Sequence, residues 1–274
     1  MNLRLKLNLF FRSFFLQTGW NYAKYQNLGF AFVMMPVLRR LYAKDAESLP
    51  TVLQRYLDNF NTQPVMASFC FGALAKQEEQ IIQANSLTDY KEQVLEWQGI
   101  RRGLSITAAS IGDRLFWGTL KPLTLLIALF VWMLAGVDFL ETDYLNTPST
   151  TVILSGSLVA FFIYNIVAQW VRWQGIELGY VSDNSSCFGL TRFDWNRTIY
   201  HAKRLGLYVA VVLLLLGVYH YFKQADLVTN VHSIAKAILV LAFVIIAFIT
   251  RRLRIPNVYL YLTSVVIFNL VCLL

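Results

Sequence analysis

From residue 122 onward the chain returns five times to an apolar run about as long as a membrane-crossing helix. A helix rises ~1.5 Å per residue, so ~30 Å of hydrocarbon takes about 20 residues to cross. The runs are Pro122–Leu140, Thr151–Val171, Leu205–Phe222, Ile234–Thr250 and Ile255–Leu274. Any one of them would suit a buried core helix, but five in succession would leave a soluble fold without a polar surface. Only 15% of the 274 residues are charged and 57% are hydrophobic, whereas soluble domains carry roughly a quarter charged residues. The sequence therefore predicts an all-α integral membrane protein, with about five transmembrane helices in its C-terminal half.

The charges between the runs predict an orientation. The connection Glu141–Thr150 contains no Lys or Arg. The next one carries Arg172, Arg192, Arg197, Lys203 and Arg204, and the short link before the last run carries Arg251, Arg252 and Arg254. Basic residues stay on the cytoplasmic side during insertion. Residues 172–204 and 251–254 are therefore expected in the cytoplasm together with the N-terminus, and the C-terminus outside. The formal net charge of +8 arises from this placement, so it does not point to nucleic acid. The three cysteines, Cys70, Cys187 and Cys272, lie far apart and form no CxxC pair, and the three histidines show no ligand spacing. No disulfide framework, metal site or cofactor is expected.

Residues 1–121 read differently, as a membrane-associated, motif-bearing region distinct from the transmembrane region 122–274. The opening MNLRLKLNLFFRSFFLQ sets Arg4, Lys6 and Arg12 among leucines and phenylalanines and is too short and interrupted to span. No small-residue cleavage site follows, so a secretory signal is not expected. The Leu3/Leu5/Leu7/Leu9 alternation could make a strand, but Phe10, Phe11, Phe14 and Phe15 restore a helical face, and an interfacial amphipathic helix fits best. Gly19–Leu41 and Gln63–Ala75 are apolar but carry breakers and amides, which suits re-entrant or interface-lying helices shielded by protein. Residues 76–98 are the most charged stretch and read as a solvated cytoplasmic helix pair, with Glu78 and Glu79 on its exposed face.

No chemistry-bearing motif accompanies this architecture. GxxxxGK[ST], GxSxG and HExxH are all missing, and no Cys/His pairing suggests covalent catalysis. A translocation or assembly subunit is therefore favoured over a membrane enzyme acting on lipid, and no catalytic residue is assigned. The polar groups that a surface does not explain are Asn21, Tyr22 and Gln26; Asn61, Thr62 and Gln63; and Asp113 with Arg114. A carboxylate near the membrane is costly unless paired or wetted, which makes Asp113 a candidate site residue. Its structural alternative is pairing with Arg114 or a distant Lys.

These stretches resemble the IID component of mannose-family sugar phosphotransferase systems. The likeness rests on RSFFLQTGWNYAKYQNLGFAF (12–32), YLDNFNTQPVMAS (56–68), GIRRGLSITAASIGDRLFWGTLKPL (99–123) and NIVAQWVRWQGIELGY (165–180). The resemblance implies a bacterial cytoplasmic-membrane subunit that helps a IIC partner translocate a hexose. Soluble IIA and IIB subunits would carry the phosphate on their own histidines and phosphorylate the hexose, and IIC–IID pairs would form a higher oligomer. Carried onto this chain, Asn21, Gln26, Asn61, Thr62, Asp113 and Asn165 are the candidates for sugar contact or the subunit seam. The sequence departs from the family pattern at Ala23 and Gln63, where an acid and a histidine are usual. It also departs at Ile106-Thr107, at Arg114, where a small residue is usual, and at Val167-Ala168, which replace proline and arginine. The alternative function is a non-transporting membrane scaffold or sensor that kept the IID fold.

Overall fold

The computed structural model describes residues 1–43, 45, 47–137 and 149–224, with side chains through Tyr219. Its regular elements are α1 (Leu3–Ser13), α2 (Asn27–Leu41), α3 (Leu49–Tyr56), α4 (Ala67–Ile82), α5 (Leu87–Gly112), a π-helical stretch (Asp113–Leu120), α6 (Lys121–Leu134), α7 (Thr150–Val181) and α8 (Trp195–Gln224). Two 3₁₀ turns, Asn184–Ser186 and Leu190–Arg192, join α7 to α8. Among the described residues no β-strand forms, and β pairing is confined to isolated bridges of Tyr25 with Asn21 and Phe60. The chain divides into two compact units, and all the described residues except the end of α8 belong to the first.

In that first unit α4 is the central element. Phe69, Cys70, Phe71, Ala73 and Leu74 are fully buried on it, and it packs against α5 and α7. Contact with α7 depends on glycine. A Cβ on Gly72 would strike the Ile176 carbonyl, and one on Gly179 the Phe69 carbonyl, while Gly175 faces Ser68 and Phe69. Gly175 and Gly179 form a GxxxG pair, the spacing that lets two helix backbones approach closely in a bilayer. On the other side of α4, Phe30 stacks on Phe60 with ring centroids 4.2 Å apart, and Tyr56 meets Trp97 at 4.9 Å.

The opening segment folds as the amphipathic helix expected. Asn2 caps α1 by accepting the Leu5 N–H. Leu5 and Leu9 point into the core, whereas Leu3, Leu7 and Phe11 stay exposed. Lys6, buried, pairs with Glu177 at 2.9 Å and lies over the Trp173 ring, which ties α1 to α7. Arg172 reaches the same helix, donating to Ser13 Oγ at 2.7 Å beneath the Phe14 ring.

Among the described residues three helices are long and apolar enough to cross a membrane: Leu87–Leu134, Thr150–Val181 and Trp195–Tyr219. The run expected at Thr151 falls inside the second, and the run expected at Leu205 begins inside the third and stays within α8. The run expected over Pro122–Leu140 does not start a helix of its own: its residues as far as Leu134 form the end of the first, a continuous helix of 48 residues, and 138–140 lie outside the described residues. Proline has no N–H to give the preceding turn. Here Asp113–Leu120 takes the wider π pattern just before Pro122, and the Lys121 N–H reaches back to Phe116. A π-turn lets the backbone pass the missing donor without ending the helix. The expected spans Ile234–Thr250 and Ile255–Leu274 lie outside the described residues.

Candidate functional site

The motif residues of the first half meet where the loop before α2 touches the loop before α4. Asn21 and Tyr25 exchange backbone hydrogen bonds at 2.9 Å. That tight turn needs Tyr25 in the left-handed region, at φ 59°. Within it Asn21 Nδ2 donates to Asn27 Oδ1 at 2.8 Å, and Asn21 Oδ1 accepts the Lys24 N–H. Gln26 is buried, and its carboxamide pairs with the Thr62 backbone in both directions, at 2.9 and 3.0 Å. Thr62 in turn donates to the Ser105 carbonyl on α5 at 2.9 Å, and Asn27 to the Leu57 carbonyl at 2.8 Å. The Gln26 carboxamide thereby answers two backbone groups of Thr62 that burial would otherwise strand.

Gln63, the residue that replaces the expected histidine, also works on the backbone. Its Oε1 accepts the N–H groups of Val65 and Met66 at 2.8 and 2.9 Å, serving the orphan donors at the start of α4. Gly112 on α5 sits against it, so close that a Cβ there would lie 2.5 Å from the Gln63 Cβ. Asp113 follows at once, opening the π-helical stretch with its side chain exposed. Among the described residues neither Asp113 nor Arg114 has a side-chain hydrogen bond or ion pair, so the expected pairing of these neighbours does not form. Consecutive helix positions point about 100° apart, so adjacency in sequence does not bring their charges together.

The structure thus joins Asn21, Gln26 and Thr62 in one hydrogen-bonded knot and sets Asp113 beside it through Gly112 and Gln63. Asn61 lies exposed on the same loop. Asn165 stands apart on α7, where it donates to the Phe161 carbonyl at 2.9 Å and accepts from Gln169.

One buried cluster contradicts the reading of Glu78 as part of an exposed face. Glu78 is 0% exposed and pairs with Arg55, whose Nε lies 3.1 Å from Oε1. Tyr56 donates to the same carboxylate at 2.6 Å and Tyr42 at 3.2 Å. The reason is helical spacing, since Glu78 falls four residues after Leu74 and three before Ile81, both core residues. Burial, then the charge of Glu78, pushes the Tyr42 phenol up to about 12, and the same causes hold Tyr56 well above its ordinary value. Burial works against the Arg55 cation, but the charge and hydrogen bonds of Glu78 outweigh it and raise Arg55 overall. Arg101 extends the cluster by donating to the Arg55 carbonyl at 3.0 Å and pairing with Asp58 at 3.6 Å.

Every charge in that cluster is answered from within, which makes it a brace between α3, α4 and α5. Among the described residues no three His, Cys, Asp or Glu side chains converge to hold a metal. Long apolar helices braced by internal ion pairs, with a pair of polar loops knotted among them, define a polytopic α-helical membrane protein.

The family model for the PTS system mannose/fructose/sorbose family IID component matches residues 4–137. The PTS system mannose-specific EIID component of Escherichia coli (strain K12) is 33% identical over 172 residues, 63% of this chain and 53% of the relative. The Fructose permease IID component of Bacillus subtilis (strain 168) is 30% identical over 207 residues, covering 76% of this chain and 67% of the relative. The chain belongs to the mannose/fructose/sorbose IID family. It spans about half the length of the Escherichia coli relative and about two thirds of the Bacillus subtilis one. In fold it is similar to a chain of the solved mannose transporter ManYZ–microcin E492 complex. The TM-score is 0.53 at 24% identity, over 97% of this chain and 94% of that one.

Proposed function

We propose that this protein is a membrane subunit of a phosphoenolpyruvate-dependent sugar phosphotransferase complex, helping a IIC-type partner translocate a hexose. The observation that carries the reading is the knot itself. Three of the motif residues that resemble the family, Asn21, Gln26 and Thr62, lock two loops against α5, and that leaves Asp113 exposed beside them. A free carboxylate next to a rigid polar knot can accept hydroxyl protons from a sugar or donors from an adjoining subunit. Residues 1–121 would carry these contacts and residues 122–274 the anchoring spans. Soluble IIA and IIB subunits would supply the phosphoryl group, so this chain would not itself be phosphorylated.

The reading sets the protein in the bacterial cytoplasmic membrane, with the N-terminus and residues 172–204 inside, the C-terminus outside, and IIC–IID pairs in a higher oligomer. Exposed Phe14, Phe15 and Phe32 support a partner, because aromatic side chains without enough continuous apolar length suit a protein seam. Co-expression with a IIC subunit tests this directly. The pair should co-purify as one assembly and the chain alone should aggregate in detergent, whereas a monodisperse lone monomer would contradict the proposal.

A further inference from the structure

A groove of about 620 Å³ lies between the α4–α5 turn and the segment that ends α7. Its charged lining consists of Asp89, Glu96 and Asp183 against Lys76, three negative charges to one positive. Hydrogen bonds from Ser185 and the Ser186 N–H hold the Asp183 carboxyl below the usual range, so that charge is present at neutral pH. Two carboxamides sharpen the chemistry. Gln77 is only 8% exposed, lines the groove and has no hydrogen-bond partner among the described residues. Gln93 Nε2 donates to Asp89 at 2.7 Å, which fixes its Oε1 as an acceptor, and that oxygen is unpartnered. Carboxylates thus outnumber the single ammonium on this wall, and Lys76 already lies 4.0 Å from Glu79, so the groove keeps an excess of negative charge beside acceptor oxygens without a partner.

We infer that this groove receives a lysine- or arginine-bearing segment of a soluble protein that docks on the cytoplasmic face. The inference rests on the function proposed above, which puts residues 172–204 in the cytoplasm and a soluble subunit beside them. Phosphate groups and anionic lipid are repelled by the excess carboxylates. A neutral sugar would satisfy the amides but leave those charges unanswered. A basic segment satisfies both, and its attraction falls as salt rises. A free polyamine shares the chemistry and is separated from a protein by experiment.

The test uses the full chain purified with its IIC partner, and a soluble IIB subunit as the probe. Gln80→Lys with Glu96→Lys reverses the groove's charge at two exposed positions whose side chains make no hydrogen bond among the described residues. Gln77→Leu, as a second variant, removes the unpartnered amide without adding charge. IIB affinity should fall about tenfold or more in the double variant, should lose most of its salt dependence, and should weaken less in Gln77→Leu. Equal affinity for the wild-type and double-variant complexes would overturn the groove assignment alone. Charge-dependent binding of spermine with IIB unaffected would overturn it in the same way. Failure of IIB to bind even the wild-type complex would overturn the proposed function and this inference with it.

Discussion

Glu78 and Asp113 are both carboxylates on long helices, and they meet opposite fates. Glu78 belongs to a charged stretch, yet it is sealed from solvent by Arg55, Tyr42 and Tyr56. Asp113 has Arg114 immediately beside it in a largely apolar stretch, yet its side chain is exposed and makes no hydrogen bond or ion pair among the described residues. Charge neighbours in sequence are poor guides to ion pairs. Arg55 reaches Glu78 from 23 residues away, whereas Arg114 cannot turn back to Asp113 on the same helix. The buried pair braces the fold, and the free carboxylate is available to act outside it.

This contrast can be broken most sharply at the brace. Glu78→Gln leaves Arg55 buried without its counter-charge, and loss of one partner of a buried pair costs about 3–5 kcal/mol. Thermal unfolding in detergent should show a large drop in melting temperature. Replacing both partners, with Arg55→Leu and Glu78→Leu together, should restore part of it. A single variant as stable as the wild type would show that the pair braces nothing.

The knot should respond next. Gln26→Ala strands the Thr62 N–H and carbonyl in a buried loop, at a cost of about 1–3 kcal/mol. Its melting temperature should fall, but by less than that of Glu78→Gln. A smaller effect lies at high pH. The phenol of Tyr42 is held at about 12 against an ordinary 10.0, so the folded state retains a proton that the unfolded chain releases first. This contribution is complete below pH 10 and disappears as pH rises through 12. Tyr42→Phe should flatten that part of an alkaline unfolding curve, and an unchanged curve would count against the cluster. The smallest effect on stability belongs to Asp113→Asn, which breaks no side-chain hydrogen bond or ion pair among the described residues and should stay within about 0.5 kcal/mol of wild type.

Much of the helical plan could be read from periodicity and length. The amphipathic α1 and the runs inside α7 and α8 follow from apolar spacing. The motif segments around Asn21 and Thr62 stand out because their polar residues lack a surface explanation. Glu78 is readable too, since Leu74, Glu78 and Ile81 share one helix face, but the surrounding charges mask the pattern. The glycine seam leaves a weaker trace. Gly175 and Gly179 show the GxxxG spacing, but Gly72, which completes it, comes from a helix about a hundred residues earlier, and that pairing is a tertiary fact. The π-helical stretch before Pro122 is not readable at all, because proline in a run more often marks a helix start than a local change of winding.

What matters most is whether this IID-family chain takes part in sugar translocation, with Asp113 among the groups it offers. Phosphoenolpyruvate-dependent hexose phosphorylation by membranes holding the IIC partner, supplied with IIA and IIB, answers that question. A charge-assisted hydrogen bond is worth about 1.5–3 kcal/mol. The rate should therefore depend on this chain and fall roughly tenfold or more in Asp113→Asn at unchanged melting temperature. An equal rate in membranes lacking the chain, or an unaltered rate with Asp113→Asn, would contradict the proposed function.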